Sequence, residues 1–204
     1  MSHAQNQGIK LAIVKKLDDP ENLGRVKVNL SDLDDENQTY WAHVATAMAG
    51  NNHGTWFMPE EGDAVLVAFR DGDAGHPFVL GSYWSSKNPP PIDDGATTTV
   101  KRMRTKGGHI LEFDDRSDSA HILVQTSSGH LIELLNDKNI RIETSTGQKV
   151  ELINNDSISV SFDGSNTITL NSEGVTLDGS KVVINGGSVE ITASSGDEIG
   201  RAHV

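Results

Sequence analysis

The stretch GHLIELLNDKNIRIETST at residues 129–146 is followed directly by GQKVELINNDSISVSFDG at residues 147–164, and the two align position by position. Each copy contains two triplets in which a single residue separates two apolar residues, as in Ile132-Glu133-Leu134. This alternation predicts short β-strands with one apolar face and one polar face. A unit of 18 residues that recurs in register predicts a stacked, repetitive architecture.

The same pattern extends in both directions from these two units. The unit GHILEFDDRSDSAHILVQTSS at residues 108–128 fits the alignment once three residues are looped out. The apolar pairs of the whole C-terminal half are Leu111/Phe113, Ile122/Val124, Ile132/Leu134, Ile140/Ile142, Val150/Leu152, Ile158/Val160, Ile168/Leu170, Val175/Leu177, Val182/Ile184 and Val189/Ile191.

Strands of this length cannot shelter their apolar faces alone, since even an isolated hairpin is marginally stable in water. Two architectures would provide shelter: a single-chain parallel β-helix, or three copies wound around a common axis as a triangular prism. In the prism, all of the paired residues form the trimer core. The short strands, the scarcity of aromatic residues and the many Gly, Asn, Asp and Ser corners favour the prism. Closure by three chains also removes free sheet edges.

The first half of the chain has a different character, and the change comes near residue 95. All six prolines and all three tryptophans precede that point. Turn-rich segments separate five apolar or alternating runs, which predict strands. Five such strands in about 90 residues fit a small barrel or a sandwich, and a five-stranded OB barrel is the natural candidate. The predicted strands cover residues 9–14, 25–30, 40–48, 63–69 and 77–84.

Composition excludes several classes of function. With 17 Lys and Arg against 29 Asp and Glu, the net charge is −12, which argues against nucleic acid as a partner. Cysteine is absent, so disulfides and zinc–thiolate sites are excluded. No apolar run is long enough to span a membrane, and the first residues lack the pattern of a cleaved signal peptide.

An ordered series of motifs resembles the central spike of contractile injection machines, the family of VgrG proteins, phage baseplate spikes and the spikes of extracellular injection systems. The motifs are LGRVKVNL at 23–30, LDDEN at 33–37, YWAHVATAMAG at 40–50, GTWFMPEEGDAVLVAF at 54–69, DGDAGHPFVLGSYW at 71–84, KNPPP at 87–91 and TKGGHILEFDD at 105–115. The resemblance implies an all-β chain, with an N-terminal OB-fold barrel followed by an intertwined trimeric β-helix. The expected organisation is an OB collar at 1–95, a linker at 96–107, needle repeats at 108–192 and a tip segment at 193–204.

The resemblance also implies partners and a location. We expect a homotrimer, a baseplate hub protein at the OB end, mechanical contact with a target membrane, and room for a PAAR-like protein at the C-terminal end. The particle would be a virion tail baseplate or an extracellular injection particle, assembled in the bacterial cytoplasm. The OB strands start within the first ten residues, which suggests that a separate chain makes the hub. No cofactor is expected, and His203 is the one candidate for a threefold metal site at the tip.

No catalytic residue is predicted. The carboxylates of Asp114, Asp115 and Asp118, and those of residues 34–36, fall in predicted turns, where Asp favours local backbone hydrogen bonds. The basic cluster, defined by Lys101, Arg102, Arg104 and Lys106, would either receive acidic turns of a neighbouring collar or remain solvated. For Trp41, Trp56 and Trp84, packing in the strand core or between subunits is favoured over a ligand groove.

The sequence thus favours a non-enzymatic structural spike that punctures a cell envelope. The alternative is a secreted carbohydrate-binding or carbohydrate-active protein with a single-chain β-helix. The first requires a trimer and the second a monomer.

Overall fold

The structure, a computed structural model, describes residues 8–30, 38–73, 75–92 and 98–186. The chain divides into two compact units after Pro90. Both units are built from β-strands, and the only helical turn among the described residues is the short 3-10 segment Arg70–Gly72. Within those residues, no helix has the length and apolarity that crossing a lipid bilayer requires. The all-β class predicted from the alternation is therefore confirmed.

The first unit contains a closed five-stranded barrel. Its strands run in the order β1-β2-β3-β7-β6, all antiparallel except for the parallel β3–β7 pair. Inward-facing side chains form a core of small and β-branched residues that are almost completely buried. The strands of the unit are β1 Lys10–Lys16, β2 Arg25–Leu30, β3 Thr39–Val44, β4 Ala49–Gly50, β5 His53–Gly54, β6 Ala64–Phe69 and β7 Pro77–Ser82. The core residues are Ala12, Val14, Val26, Val28, Leu30, Ala42, Val65, Val67 and Val79.

One predicted strand, residues 40–48, is shorter than expected. β3 ends at Val44, and the chain then forms the small β4–β5 hairpin. The base of this hairpin is fixed by Thr46, whose hydroxyl donates to the Thr55 carbonyl at 2.8 Å. The Thr55 N–H in turn donates to the Met48 carbonyl at 2.9 Å. Hydrogen bonds at the base of this hairpin therefore hold the chain out of β3, although the apolar pattern of the sequence continues to Met48.

The second unit is a nine-stranded antiparallel sheet in which each strand pairs with its sequence neighbours. Its first strand, β8, lies within the segment expected as a linker, so the sheet begins ahead of the first repeat. The strands are β8 Val100–Arg104, β9 Ile110–Asp114, β10 His121–Gln125, β11 Leu131–Leu135, β12 Ile140–Glu143, β13 Lys149–Ile153, β14 Ser157–Ser161, β15 Thr167–Asn171 and β16 Gly174–Asp178.

Three turns along one edge of this sheet share one geometry. Each begins with a threonine and ends three residues later with a glycine at φ near +90°, a conformation that glycine adopts without strain. In each turn the glycine N–H donates to the threonine carbonyl at 2.9–3.0 Å. The turns are Thr105–Gly108, Thr126–Gly129 and Thr144–Gly147. The glycines that open the predicted repeat units are thus the residues that close these turns.

Candidate functional site: the apolar face of the repeat sheet

The register of the second unit aligns its apolar residues into two continuous rows. Phe113 pairs with Ile122, and Ile122 pairs in turn with Leu134. The first row is Phe113, Ile122, Leu134, Ile140, Leu152, Ile158, Leu170 and Val175, and the second is Leu111, Val124, Ile132, Ile142, Val150, Val160, Ile168 and Leu177. Eight of the predicted pairs therefore share one face of one sheet, which we call the apolar face.

This face is uncovered in the protomer. Leu111 and Val150 are half-buried, and every other member of the two rows is exposed, with Phe113 at 44%. Val182 and Ile184 are also exposed and lie outside the strands, whereas Val189 and Ile191 fall outside the described residues. Large contiguous apolar surfaces on proteins mark sites of association. The apolar face is therefore the strongest candidate functional surface of the chain.

The opposite face of the same sheet is polar, yet it is less exposed at the start of the sheet. Glu112 is only 4% exposed and Asp114 only 2%. Further along, Glu133 accepts a hydrogen bond from Arg141 at 2.7 Å, and Lys149 pairs with Glu151 at 2.7 Å. In the protomer, these charged groups are therefore paired with one another, whereas the residues of the apolar face are exposed to water.

Glu112, Asp114 and His121 bring their ligand-type atoms within 4.8 Å of one another, as a metal site would require. Both carboxylates are already paired, however: Arg102 binds Glu112, and Arg116 binds Asp114. The hydrogen bonds from Arg116 lower the pKa of Asp114 to about 2. Two guanidinium groups already compensate the two carboxylates, so the cluster fits a charge network and not a cation site.

The expectation that all three aspartates lie in turns is wrong for Asp114, which is the last residue of β9, whereas Asp118 lies in the turn that follows. The Asp115 carboxylate pairs with Lys101 at 2.7 Å, and Asp118 accepts a hydrogen bond from Ser117 at 3.1 Å. A carboxyl group with a lowered pKa, such as that of Asp114, is poorly suited to donate a proton near neutral pH. Residues 34–36 and His203 lie outside the described residues.

Lys101 and Arg102 of the basic cluster make ion pairs within the second unit. Lys101 binds Asp115, while Arg102 binds both Glu112 and the Pro91 carbonyl, the latter at 2.8 Å. Sequence reasoning did not foresee this network, because strand pairing brings Arg102 beside Glu112 across ten positions of sequence. Its only signal is the change from apolar-x-apolar to Lys-Arg-Met-Arg in β8.

Hydrogen bonds between neighbouring turns stabilise one edge of the repeat sheet. The His109 N–H donates to the Thr105 hydroxyl, and the His109 Nδ1 accepts from the Ser127 N–H of the next turn at 3.3 Å. His130 repeats both contacts, with the Thr126 hydroxyl and with the Ser145 N–H at 3.2 Å. The recurring Thr-x-x-Gly-His sequence is the signal that could have predicted these links.

The three tryptophans occupy different environments. Trp41 is half-buried on β3, with the Arg25 and Lys27 cations 5.8 and 5.7 Å from its ring. Trp56 and Trp84 are 73% and 64% exposed. The expectation of strand-core packing is therefore wrong for Trp56 and Trp84, since a barrel this small is filled by valines and alanines. Subunit packing remains a prediction for both.

A buried aspartate organises the loop that precedes β2. The Asp19 carboxylate accepts hydrogen bonds from the N–H groups of Glu21, Leu23 and Arg25, at 2.9–3.2 Å, and from the Arg25 side chain. These bonds, chiefly the one from the Arg25 side chain, hold the pKa of Asp19 well below its usual range. The loop is thereby fixed, and it presents Leu23 to solvent.

Comparison with known proteins agrees with this architecture. Residues 10–84 match the family described as the type VI secretion system/phage-baseplate injector OB domain. The type VI secretion system spike protein VgrG1b of Pseudomonas aeruginosa is 28% identical over 130 residues, which cover 58% of this chain and 18% of that protein. VgrG3 of Vibrio cholerae is 33% identical over 113 residues, which cover 51% and 11%.

A further relative, VgrG1a of P. aeruginosa, is 31% identical over 102 residues, or 47% of this chain and 16% of that protein. The chain thus spans between about a tenth and a fifth of the length of these relatives. The closed five-stranded barrel coincides with the residues that match the OB domain. Residues 10–84 thus match the OB domain of this injector family, and the chain is similar to VgrG spike proteins over about half of its length.

Proposed function

We propose that the chain is a structural central spike of a contractile injection machine and acts as a homotrimer whose repeat sheets form a needle. The observation that carries the proposal is the uncovered apolar face, which continues over eight strands beyond an OB domain of the injector family. The spike identity of the relatives supports the same function.

Three copies provide what one sheet lacks. If three sheets wrap around a common axis with their apolar faces inward, the two rows of each copy meet those of its neighbours in a dry interior. Burying a Val, Leu or Ile side chain contributes about 1.5–3 kcal/mol, so two rows per chain give a large driving force for association. The charged face then lies outward, where the ion pairs of Arg141 and Lys149 meet solvent.

Such a needle suits mechanical work. Backbone hydrogen bonds run continuously through the nine strands, and the turns on one edge are linked by His109 and His130. Unfolding any section of a three-chain prism would expose strands from all three copies together. The proposed action is puncture of a target envelope when the machine contracts, with no catalytic step.

The proposal includes partners at both ends. A baseplate hub protein would hold the OB domain, and a PAAR-like protein would cap the C-terminal end of the needle. The site of action would be a tail baseplate or an extracellular injection particle that assembles in the bacterial cytoplasm. The net charge of −12 per chain keeps the outer surface soluble and disfavours nucleic acid.

The deciding experiment is the native mass of the full chain, measured by light scattering or native mass spectrometry. We expect three chains per particle. Ile142→Asp, on the apolar face, should abolish the trimer because it buries three unpaired carboxylates. Thr169→Asp adds the same charge to the opposite face of β15 and should leave the trimer intact.

A soluble, folded monomer of the unmodified chain would overturn the proposal and would favour the carbohydrate-binding alternative. A trimer that survives Ile142→Asp as well as Thr169→Asp would place the subunit contact elsewhere than on the apolar face.

A further inference from the structure

We propose that the OB barrel carries two different apolar docking surfaces, and that each copy in the trimer packs one of them against the other surface of the next copy. This inference rests on the proposed homotrimer and adds a second subunit contact, outside the repeat sheet. The hairpin patch is defined by Leu23, Met48, Trp56 and Phe57. The β1 wall is defined by Ile9, Leu11 and Leu80.

The hairpin patch lines a depression of about 480 Å³ beside the β4–β5 hairpin. All four of its residues are exposed, and Trp56 is the most exposed large apolar residue among the described ones. None of the residues that line the depression is Asp, Glu, Lys or Arg. Trp, Phe and Met without charged neighbours are typical of the centre of a protein interface and not of a solvated surface.

The patch is held in a fixed conformation before any partner binds. The Asp19 carboxylate fixes the loop that carries Leu23, because it accepts hydrogen bonds from three backbone N–H groups of that loop. The Trp56 ring packs on Gly24, where a Cβ atom would lie 3.0 Å from the ring. A rigid apolar surface loses little conformational entropy on binding, which favours association.

The β1 wall lies on the outside of the barrel, and its Leu11 is at the end of the β1–β2 strand pair that is far from Leu23. Leu11 pairs with Leu66 of β6, and Leu66 pairs with Gly81, which follows the exposed Leu80. Along the β1–β2 pair, Leu11 adjoins Ala12, which pairs with Leu30 at the end of β2. Leu23 instead precedes the start of β2, so the two surfaces belong to opposite ends of this strand pair.

Two distinct surfaces are what a threefold ring requires. A twofold contact uses one patch that pairs with itself, whereas a cyclic trimer closes head to tail, with one surface of each copy against a different surface of the next. Identical chains that each carry a net charge of −12 repel one another, and contact through uncharged surfaces reduces that repulsion. These arguments favour a second copy of the chain as the occupant.

The absence of cysteine allows a direct test by cross-linking. Leu23→Cys and Leu11→Cys would be made singly and together in the full chain, and treated with a short bis-maleimide. Both positions are exposed, so folding should be preserved. We expect only the double variant to give covalent dimers and trimers. The matched control is the Lys15→Cys/Gln38→Cys pair, at two exposed polar positions that lie toward opposite ends of the β1–β2 strand pair, which should stay uncross-linked.

The outcomes separate this inference from the proposed function. A native mass of three chains without cross-links in the double variant would overturn the docking of barrel on barrel and leave the trimeric spike intact. That result would assign the surfaces to a different protein. Covalent dimers from Leu23→Cys alone would show that the patch pairs with itself, against the head-to-tail contact. A monomeric native mass would overturn both proposals.

Discussion

The two units of the chain differ in where they place their apolar side chains. In the barrel, nine core residues are no more than 3% exposed. In the second unit, Val100 is the only apolar side chain that reaches full burial among the described residues. Valine and leucine are frequent in both units. The presence of apolar residues therefore does not explain the difference.

Topology explains it. The barrel closes upon itself, so the inward side chains of its five strands meet across a shared interior. The repeat sheet is an open series of neighbouring strands, and alternation sends the paired apolar residues to one face with no second layer against it. The barrel thus encloses its core within one protomer, whereas the repeat sheet leaves its apolar face open.

The largest expected effect is on the dependence of unfolding on protein concentration. If three chains share the core of the repeat sheet, a tenfold increase in concentration stabilises the trimer by about 3 kcal/mol, because unfolding releases three chains. The unfolding midpoint of the barrel should not depend on protein concentration, apart from the effect of any contact between barrels. Denaturant titrations at several concentrations, followed by circular dichroism and tryptophan fluorescence, would separate the two, since all tryptophans lie in the first unit. A single concentration-independent transition would contradict this comparison.

A pair of identical substitutions sharpens the contrast. Val28→Ala removes two methyl groups from the barrel core and should lower its free energy of unfolding by about 2 kcal/mol. Val160 is exposed in the protomer, so in a monomer Val160→Ala should cost no more than about 0.5 kcal/mol. In the trimer it should cost at least as much per chain as Val28→Ala. Thermal and denaturant unfolding of both variants would distinguish the two cases.

Much of this arrangement could be predicted from sequence because alternation and turn residues are local signals. Residues 25–30 are a strand as predicted, and eight apolar pairs fall on one face. β8 was missed because its sequence, Val-Lys-Arg-Met-Arg, lacks the two apolar residues that flank a single residue in the repeat strands. The pairing of Glu112 with Arg102 and His121 depends on register between strands, and the exposure of Trp56 depends on its packing over Gly24. The exposure of Trp56 has no local sequence signal, and the Glu112 pairing has only the basic run of β8.

Substitution of two neighbouring glycines, Gly107 and Gly108, tests whether the turns along one edge stabilise the repeat sheet. Gly108 has φ +89°, and a Cβ atom there would lie 3.2 Å from the Ser127 Cβ. Gly108→Ala should therefore lower the free energy of unfolding of the repeat sheet by about 1–2 kcal/mol. Gly107→Ala is the matched control, because its Cβ atom would make only ordinary contacts, at 3.6 Å or more. Equal unfolding midpoints for the two variants would argue against the stacked turns as a source of stability.

The smallest expected effect is a dependence on acid that belongs to the second unit. Arg116 lowers the pKa of Asp114 to about 2, from an ordinary value of 3.8. A lowered folded-state pKa means that the ionised carboxylate stabilises the fold above about pH 4, and that this contribution is lost as the pH falls towards 2. Asp114→Asn should lower stability at neutral pH and flatten the decline between pH 4 and pH 2.

Asp115→Asn is the control for this acid dependence, because it removes the same charge from an exposed neighbour that pairs with Lys101. Its stability should fall between pH 4 and pH 2 as steeply as that of the parent chain. Parallel curves for Asp114→Asn and the parent, measured by thermal unfolding of the repeat sheet, would show that the Asp114–Arg116 pair contributes nothing. In that case the buried carboxylate would owe its position to the pairing of β9 with its two neighbouring strands, through Val100 and His121.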